Sequence, residues 1–173
     1  MKNLLIISST KNSNFELSKD IKKFFDSKKD INCSIISLEQ FNLPLYRPEL
    51  EEDFKNKSLF PDDITKVKDF LVSSDALIWC SPEYNGGISP ILTNVIAWIS
   101  RATEDLRDGF KDKHSLVCSS SGGNGNNFVK GFTIQLSYLG SKVMNKSIIK
   151  TKKKDLEKPE FEGILNQFYN IIN

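Results

Sequence analysis

The stretch ALIWCSPEYNGGISPILTNVIAWIS, residues 76–100, runs a strand, a glycine-bearing loop and a helix in immediate succession. Ala76 to Cys80 is short and wholly apolar, which suits a strand covered on both faces of its sheet. Ser89 followed by Pro90 makes a good helix start, with the serine as N-cap and the proline at the first helical position. The intervening Ser81-Pro82-Glu83-Tyr84-Asn85-Gly86-Gly87-Ile88 is therefore held at both ends and free in the middle. Pro82 stiffens the exit from the strand. Gly86 and Gly87 let the backbone approach a flat ligand, and Tyr84 can lie against such a ring. An ordinary turn would account for the glycines and Pro90, but not for the aromatic and the amide ahead of them.

The same alternation extends to both ends of the chain. Leu4 to Ile7, Ile31 to Leu38 and Ser115 to Ser119 read as further strands, with Ser141 to Ile149 as a fifth. Between and after them, helical spacing links Leu17, Ile21, Phe24 and Phe25; then Ile64, Val67, Phe70 and Leu71; then Phe128 to Leu139; and finally Phe161, Ile164, Leu165, Phe168 and Ile172. Strands separated by helices imply a parallel sheet with right-handed crossovers. The expectation is one α/β domain over residues 1–173, a three-layer sandwich whose five strands lie in the order 2-1-3-4-5. One connection, Glu39 to Phe60, is long, carries prolines and aromatics, and reads as a loop that is functional or meets a partner.

In such a sheet the ligand crevice lies beyond the carboxyl ends of the strands, where the strand order reverses. That singles out the loops after Ile7, Cys80 and Ser119. The first, Ser8 to Asn14, offers Ser9, Thr10, Asn12 and Ser13 as donors, with Lys11 as a cation at the rim of a helix N-terminus. This chemistry suits a phosphate, although plain capping by Asn12 or Ser13 would use the same residues. Neither GxxxxGK nor GxGxxG is present. The third loop, Ser119 to Asn127, is rich in small donors, with Ser121, Gly122 and Gly123 suited to close approach. An oxyanion site is the competing reading, but no GxSxG elbow accompanies it. The lone His114 precedes its strand and reads as a surface or strand-end residue rather than a catalytic base.

The chain has 39% apolar and 27% charged residues and a formal net charge of +2, so no nucleic-acid footprint stands out. The basic stretch Lys150 to Lys154 reads as a solvated loop, with an anion patch as the alternative. Cys33, Cys80 and Cys118 show no metal spacing and read as buried thiols of a reducing compartment. No run is long enough to span a membrane, and the expected location is the cytoplasm. The helix from Pro90 has a wide apolar arc (Ile91, Leu92, Val95, Ile96, Trp98, Ile99, Ala102), which implies a second packing surface: a homodimer contact, or a helix sandwiched inside one domain.

The segment SPEYNGGISPILTNVIAWISR resembles the signature of the NADPH-dependent FMN reductase family, a PEYN-G loop ahead of an LxNxIxW-type helix. FNLPLYRPELE, the loop after strand one and the SSSGG run resemble the family's other segments, so the likeness extends from Met1 to about Lys150. It implies a flavodoxin-like fold, FMN as cofactor, NADPH or NADH as donor, and a homodimer or homotetramer. Carried onto this chain, the phosphate falls to Ser9, Thr10, Lys11 and Ser13. The flavin ring falls to Pro82, Glu83, Tyr84, Asn85 and Gly86, with Ser121, Gly122 and Gly123 at its edge. Lys11 stands where the family has arginine, so a point charge replaces a bidentate clamp. No side chain reads as catalytic and no metal is implied, because the chemistry belongs to the flavin. The implied acceptor is a free flavin, quinone, azo compound or metal oxyanion, reached in alternation with the nicotinamide. The rival readings are a flavodoxin-type electron carrier that docks to a protein partner, and a flavin-free domain on the same fold.

Overall fold

A computed structural model describes residues 1–152 and 156–173. The strands are β1 (Lys2–Ser8), β2 (Ile31–Ser37), β3 (Ala76–Cys80), β4 (His114–Ser121), β5 (Lys142–Val143) and β6 (Ile148–Thr151). The helices are α1 (Ser13–Asp26), α2 (Pro48–Asn56), α3 (Asp62–Val72), α4 (Pro90–Ala102), α5 (Asn126–Tyr138) and α6 (Lys158–Ile172). The strands form one parallel sheet in the order β2-β1-β3-β4-β5, and β6 also pairs with β4.

The expected order therefore holds, with one difference. The single fifth strand of 141–149 is two short strands on the same edge of β4. Lys142 and Val143 pair with His114 and Ser115, and Ile148 to Thr151 pair with Cys118 to Ser121. The polar run Asn145-Lys146-Ser147 separates them.

Strand alternation sorts the core into two layers. Leu5, Ile7, Leu77, Trp79 and Val117 point to one face, where Val67 and Leu71 of α3, Val95 and Ile99 of α4, and Phe128 and Phe132 of α5 cover them. Leu4, Ile6, Ile78, Leu116 and Cys118 point to the other, against Leu17, Ile21 and Phe25 of α1 and Ile164, Leu165 and Phe168 of α6. Each such side chain, once fully buried, contributes about 1.5–3 kcal/mol of transfer free energy.

The long connection is not a loop throughout. It contains α2, with Pro48 in its first turn and Glu49 and Glu51 beside it. This segment covers the margin of α4. The Trp98 indole N–H donates to the Pro44 carbonyl at 2.7 Å, and its ring meets Tyr46, Phe54 and Phe60. Asn94 adds two more ties, accepting from the Tyr46 N–H at 2.7 Å and donating to Pro44 at 3.0 Å. The second packing surface implied by the Trp98 margin of α4 is thus this chain's own residues 44–60, and that margin needs no second copy.

All three cysteines are free, Cys80 and Cys118 buried and Cys33 partly so. Burial pushes the Cys33 thiol up to about 12. No helix among the described residues is long and apolar enough to cross a membrane. Lys150 ends up within β6 and Lys152 just beyond it; the remainder of the basic stretch, Lys153 and Lys154, lies outside the described residues.

Candidate functional site

The register brings three loops to one edge of the sheet. Ser8 is level with Cys80, and Cys80 with Cys118. The ladder runs on by one rung on each side of β3: the Ser9 N–H donates to the Cys80 carbonyl at 2.9 Å, and the Ser81 N–H to the Cys118 carbonyl at 3.1 Å. Beyond those rungs the chains part into the loops after β1, β3 and β4.

A buried chain of hydroxyls fastens the first two loops. The Ser9 hydroxyl donates to Ser81 Oγ at 2.9 Å, and Ser81 and Ser89 share a further bond of 2.9 Å. Ser89 is the N-cap of α4 and Pro90 its first helical residue, as the sequence implies, but its hydroxyl serves Ser81 rather than the helix. Ser9 is fully buried, so its side chain forms part of the floor.

The loop after β1 leads into α1 with Asn12 as N-cap and no side chain capping the helix. Among the described residues, the backbone N–H groups of Thr10, Asn12, Ser13 and Asn14 meet no acceptor. Unsatisfied donors at a helix N-terminus favour an anion. The Lys11 N–H is occupied, donating to Glu39 Oε2 at 2.5 Å, while the residue itself is exposed. The Ser8 hydroxyl folds back onto the Thr10 carbonyl at 2.6 Å.

Asn14, not singled out by the sequence reading, is buried and forms a reciprocal amide pair. It donates to the Ser120 carbonyl at 2.9 Å and accepts from the Ser120 N–H at 2.8 Å. That pair sets the start of α1 against the end of β4. Beside it lies a cavity of about 280 Å3 lined by Ser13, Ser120, Ser121, Gly122, Lys150, Thr151 and Lys152. Two lysines and four hydroxyls therefore face the same space as an exposed helix N-terminus. Sequence alone leaves Lys150 and Lys152 as a solvated loop, with an anion patch as the alternative, because only the pairing of β6 with β4 carries them here.

The loop after β3 is a miniature hairpin. Tyr84 and Gly87 exchange both backbone bonds, N–H to carbonyl at 3.2 and 2.9 Å. The two residues between them, Asn85 and Gly86, have φ of 51° and 73°. Two positive φ values in a two-residue loop are the type I′ pattern, for which Asn-Gly is a preferred pair. The tip is exposed, Tyr84 half so, and Pro82 is buried at its base. The Glu83 side chain turns away from the tip: Oε2 accepts from the N–H groups of Asn127 and Phe128 at 2.8 and 3.1 Å.

In the loop after β4, the Ser121 oxygen accepts the Glu83 N–H at 2.6 Å. Gly122 and Gly123 are exposed, and a Cβ on Gly122 would meet nothing within 4 Å. On the far side of this loop a second cavity, of about 620 Å3, opens towards Ile149, Leu156 and Glu160.

The expected residues thus gather along one edge but divide by task. Ser13, Gly122, Asn85 and Gly86 present themselves to open space; Ser9, Glu83 and Ser121 spend their polar atoms on holding the loops. No group of three or more His, Cys, Asp or Glu suited to a metal occurs among the described residues. The Cys118 thiol at the floor is pushed well up by burial and its Cys80 neighbour, so it is no nucleophile near neutral pH. His114 sits at the start of β4, the opposite end from the crevice, with its pKa lowered by burial and by Lys142.

A sequence profile of the family described as NADPH-dependent FMN reductase matches residues 1–154. An uncharacterized protein of Mycoplasma pneumoniae is 27% identical over 116 residues, 66% of this chain and 64% of that one. An NAD(P)H-dependent FMN reductase of Pseudomonas aeruginosa is 31% identical over 64 residues, 37% of this chain and 33% of that one. The chain thus matches less than two thirds of the length of either relative. Among solved structures, the flavoenzyme NAD(P)H:(acceptor) oxidoreductase FerB of Paracoccus denitrificans superposes with a TM-score of 0.76 at 19% identity, covering 99% of this chain and 95% of that one.

Proposed function

This chain belongs to the NADPH-dependent FMN reductase family, and we propose on that premise that it binds FMN and passes electrons from NADPH or NADH to a small acceptor. Free flavin, a quinone, an azo compound and a metal oxyanion are the candidate acceptors. The observation that carries this reading is the joint exposure, along one sheet edge, of an uncapped α1 N-terminus and the Asn85–Gly86 hairpin tip.

The residues suit the two ends of such a cofactor. For the phosphate there are the open N–H groups of Thr10, Asn12, Ser13 and Asn14, the Ser13 hydroxyl, and the positive charge of Lys150 and Lys152 across the 280 Å3 cavity. Phosphate oxygens are well served by backbone donors plus nearby cations. For the ring there are the exposed peptides of the hairpin tip on one side and the Cβ-free surface of Gly122 and Gly123 on the other. Backbone donors of this kind are preorganised, so they need not reorient as charge develops on a ring edge.

Bound FMN would supply the redox chemistry, two-electron transfer between the nicotinamide and the acceptor. The protein's own contribution is orientation and a fixed electrostatic setting.

The test is an absorption spectrum of the purified protein, taken before and after anaerobic addition of NADPH. A yellow protein that bleaches is expected; a colourless protein that fails to take up added FMN defeats the proposal. Rapid NADPH oxidation in air distinguishes the reductase from a flavodoxin-type carrier. The small net charge of +2 favours the reductase, since a dedicated carrier is expected to be strongly acidic.

A further inference from the structure

We propose that Glu83 is a positioning residue that locks the two loops beside the ring site into one wall, so that FMN affinity depends on its carboxylate. The proposal rests on the FMN reading above. It begins with a helix that lacks a cap of its own. α5 starts at Asn126, and the residue before it is Gly125 at φ 71°, with no side chain to offer. A larger residue would be strained there. Besides the positive φ, its Cβ would fall 3.1 Å from Ile149 Cγ2 and 3.2 Å from Ser119 Oγ.

The first helical N–H groups must then be satisfied from elsewhere. Asn124 Oδ1 takes the Asn126 N–H at 3.0 Å, and Glu83 Oε2 takes those of Asn127 and Phe128. The Glu83 cap thus reaches α5 from a different loop, 44 and 45 residues away in sequence. A negative charge is favoured at this end of a helix.

The same residue is tied a second time through its backbone. Its N–H donates to Ser121 Oγ at 2.6 Å, and Ser121 shares a 3.1 Å bond with Ser119. Glu83 therefore joins the loop after β3 to both ends of the loop after β4. Two residues on lies the hairpin tip, where a Cβ on Gly86 would be 3.6 Å from Asn127 Nδ2. With the carboxylate gone, the tip and the α5 N-terminus no longer share an anchor, and a flat ligand must order both as it binds. Ordering costs of this kind appear directly in the dissociation constant.

The experiment titrates the apoprotein with FMN and, separately, with riboflavin, following fluorescence quenching for wild type, Glu83→Ala and Glu83→Gln. Amide hydrogen exchange is measured at Asn127 and Phe128 in each apoprotein. Glu83→Ala is expected to weaken FMN about tenfold, and Glu83→Gln, which keeps an acceptor oxygen without the charge, about threefold. Riboflavin weakens by the same factors, because the defect lies at the ring end and not at the phosphate. The two amides exchange faster in both variants. A general loss of stability would leave the affinity of the folded protein unchanged, so the graded loss and partial rescue by glutamine separate positioning from scaffold.

Wild-type FMN affinity in Glu83→Ala, or unaltered exchange at Asn127 and Phe128, overturns the proposal. Where Glu83→Ala does not fold, Glu83→Gln decides on the same two readouts. If the wild type itself takes up no FMN, the family-based function fails, and the amide exchange still decides whether Glu83 locks the loops.

Discussion

The Ser9 hydroxyl donates to Ser81 Oγ across 2.9 Å, and both residues are sealed from solvent. This bond joins the loops after β1 and β3 beneath the crevice, and it assigns Ser9 to the floor. Ser9→Ala removes one buried hydrogen bond while Ser81 keeps Ser89, so the expected loss is about 1 kcal/mol in urea unfolding, with FMN still bound. Ser9→Asp would bury a carboxylate there and should fail to fold; loss of FMN in that variant would report unfolding rather than charge repulsion at a phosphate. A well-folded Ser9→Asp protein would contradict this placement.

Gly86→Ala tests the hairpin. Space is not the obstacle, since the nearest atom to a new Cβ is Asn127 Nδ2 at 3.6 Å. The φ of 73° is, and an L side chain there costs about 1–2 kcal/mol. The variant should melt earlier and bind FMN more weakly, as measured by thermal unfolding and fluorescence titration.

Lys150 and Lys152 should recognise the phosphate and not the ring. Replacing both with glutamine is expected to weaken FMN about tenfold, or ~1.4 kcal/mol, while riboflavin affinity stays the same. The FMN affinity of the wild type should fall with added salt more steeply than that of the double variant. Equal losses for both ligands would place the phosphate elsewhere.

Trp98→Ala removes a fully buried ring whose neighbours are Tyr46, Phe54 and Phe60. A loss of about 3–5 kcal/mol is expected. The Pro44 carbonyl also loses its donor. Limited proteolysis should then cut first within residues 41–60, and cleavage elsewhere would mean that this segment has other anchors.

Lys113 gives a pH signature far from the crevice. Its ammonium donates to the Leu71 and Val72 carbonyls at the end of α3, and burial lowers its pKa to about 8. Below pH 8 both the folded and the unfolded chain hold the proton, and the buried charge weighs against folding. Between pH 8 and about 10.5 the unfolded chain holds it more, so this residue's contribution to stability rises with pH. Lys113→Arg stays charged throughout and should lose that rise. Urea midpoints at pH 7 and pH 10 test it: the wild type should gain on the variant at the higher pH.

Periodicity and strand composition made most of the architecture legible. Leu4 to Ile7 and Ala76 to Cys80 announce strands covered on both faces, and the order of the sheet follows from their alternation with helices. The break in the fifth strand was harder to see, because Ser141 to Ile149 holds enough apolar residues to read as one run. α2 is hidden in the sequence although Pro48, Glu49 and Glu51 form a good helix start, because the flanking prolines and aromatics have the composition of a loop. In the site, Asn85-Gly86 carries its turn type in plain letters, whereas the adjacent pair Gly86-Gly87 suggests only freedom to approach a ligand. The roles of Glu83, Asn14 and Lys152 were beyond sequence, since each depends on a segment brought close by the sheet.

Ile164, Leu165, Phe168 and Ile172 of α6 belong to the apolar layer that α1 also covers, although the family profile stops at residue 154. The matched portion therefore leaves out part of its own core. A fragment trimmed to the matched boundary would keep α1 on that face but uncover the apolar side chains that α6 shields, inviting self-association before any cofactor could arrive. An expression clone or a domain swap must carry the final helix along with the matched part.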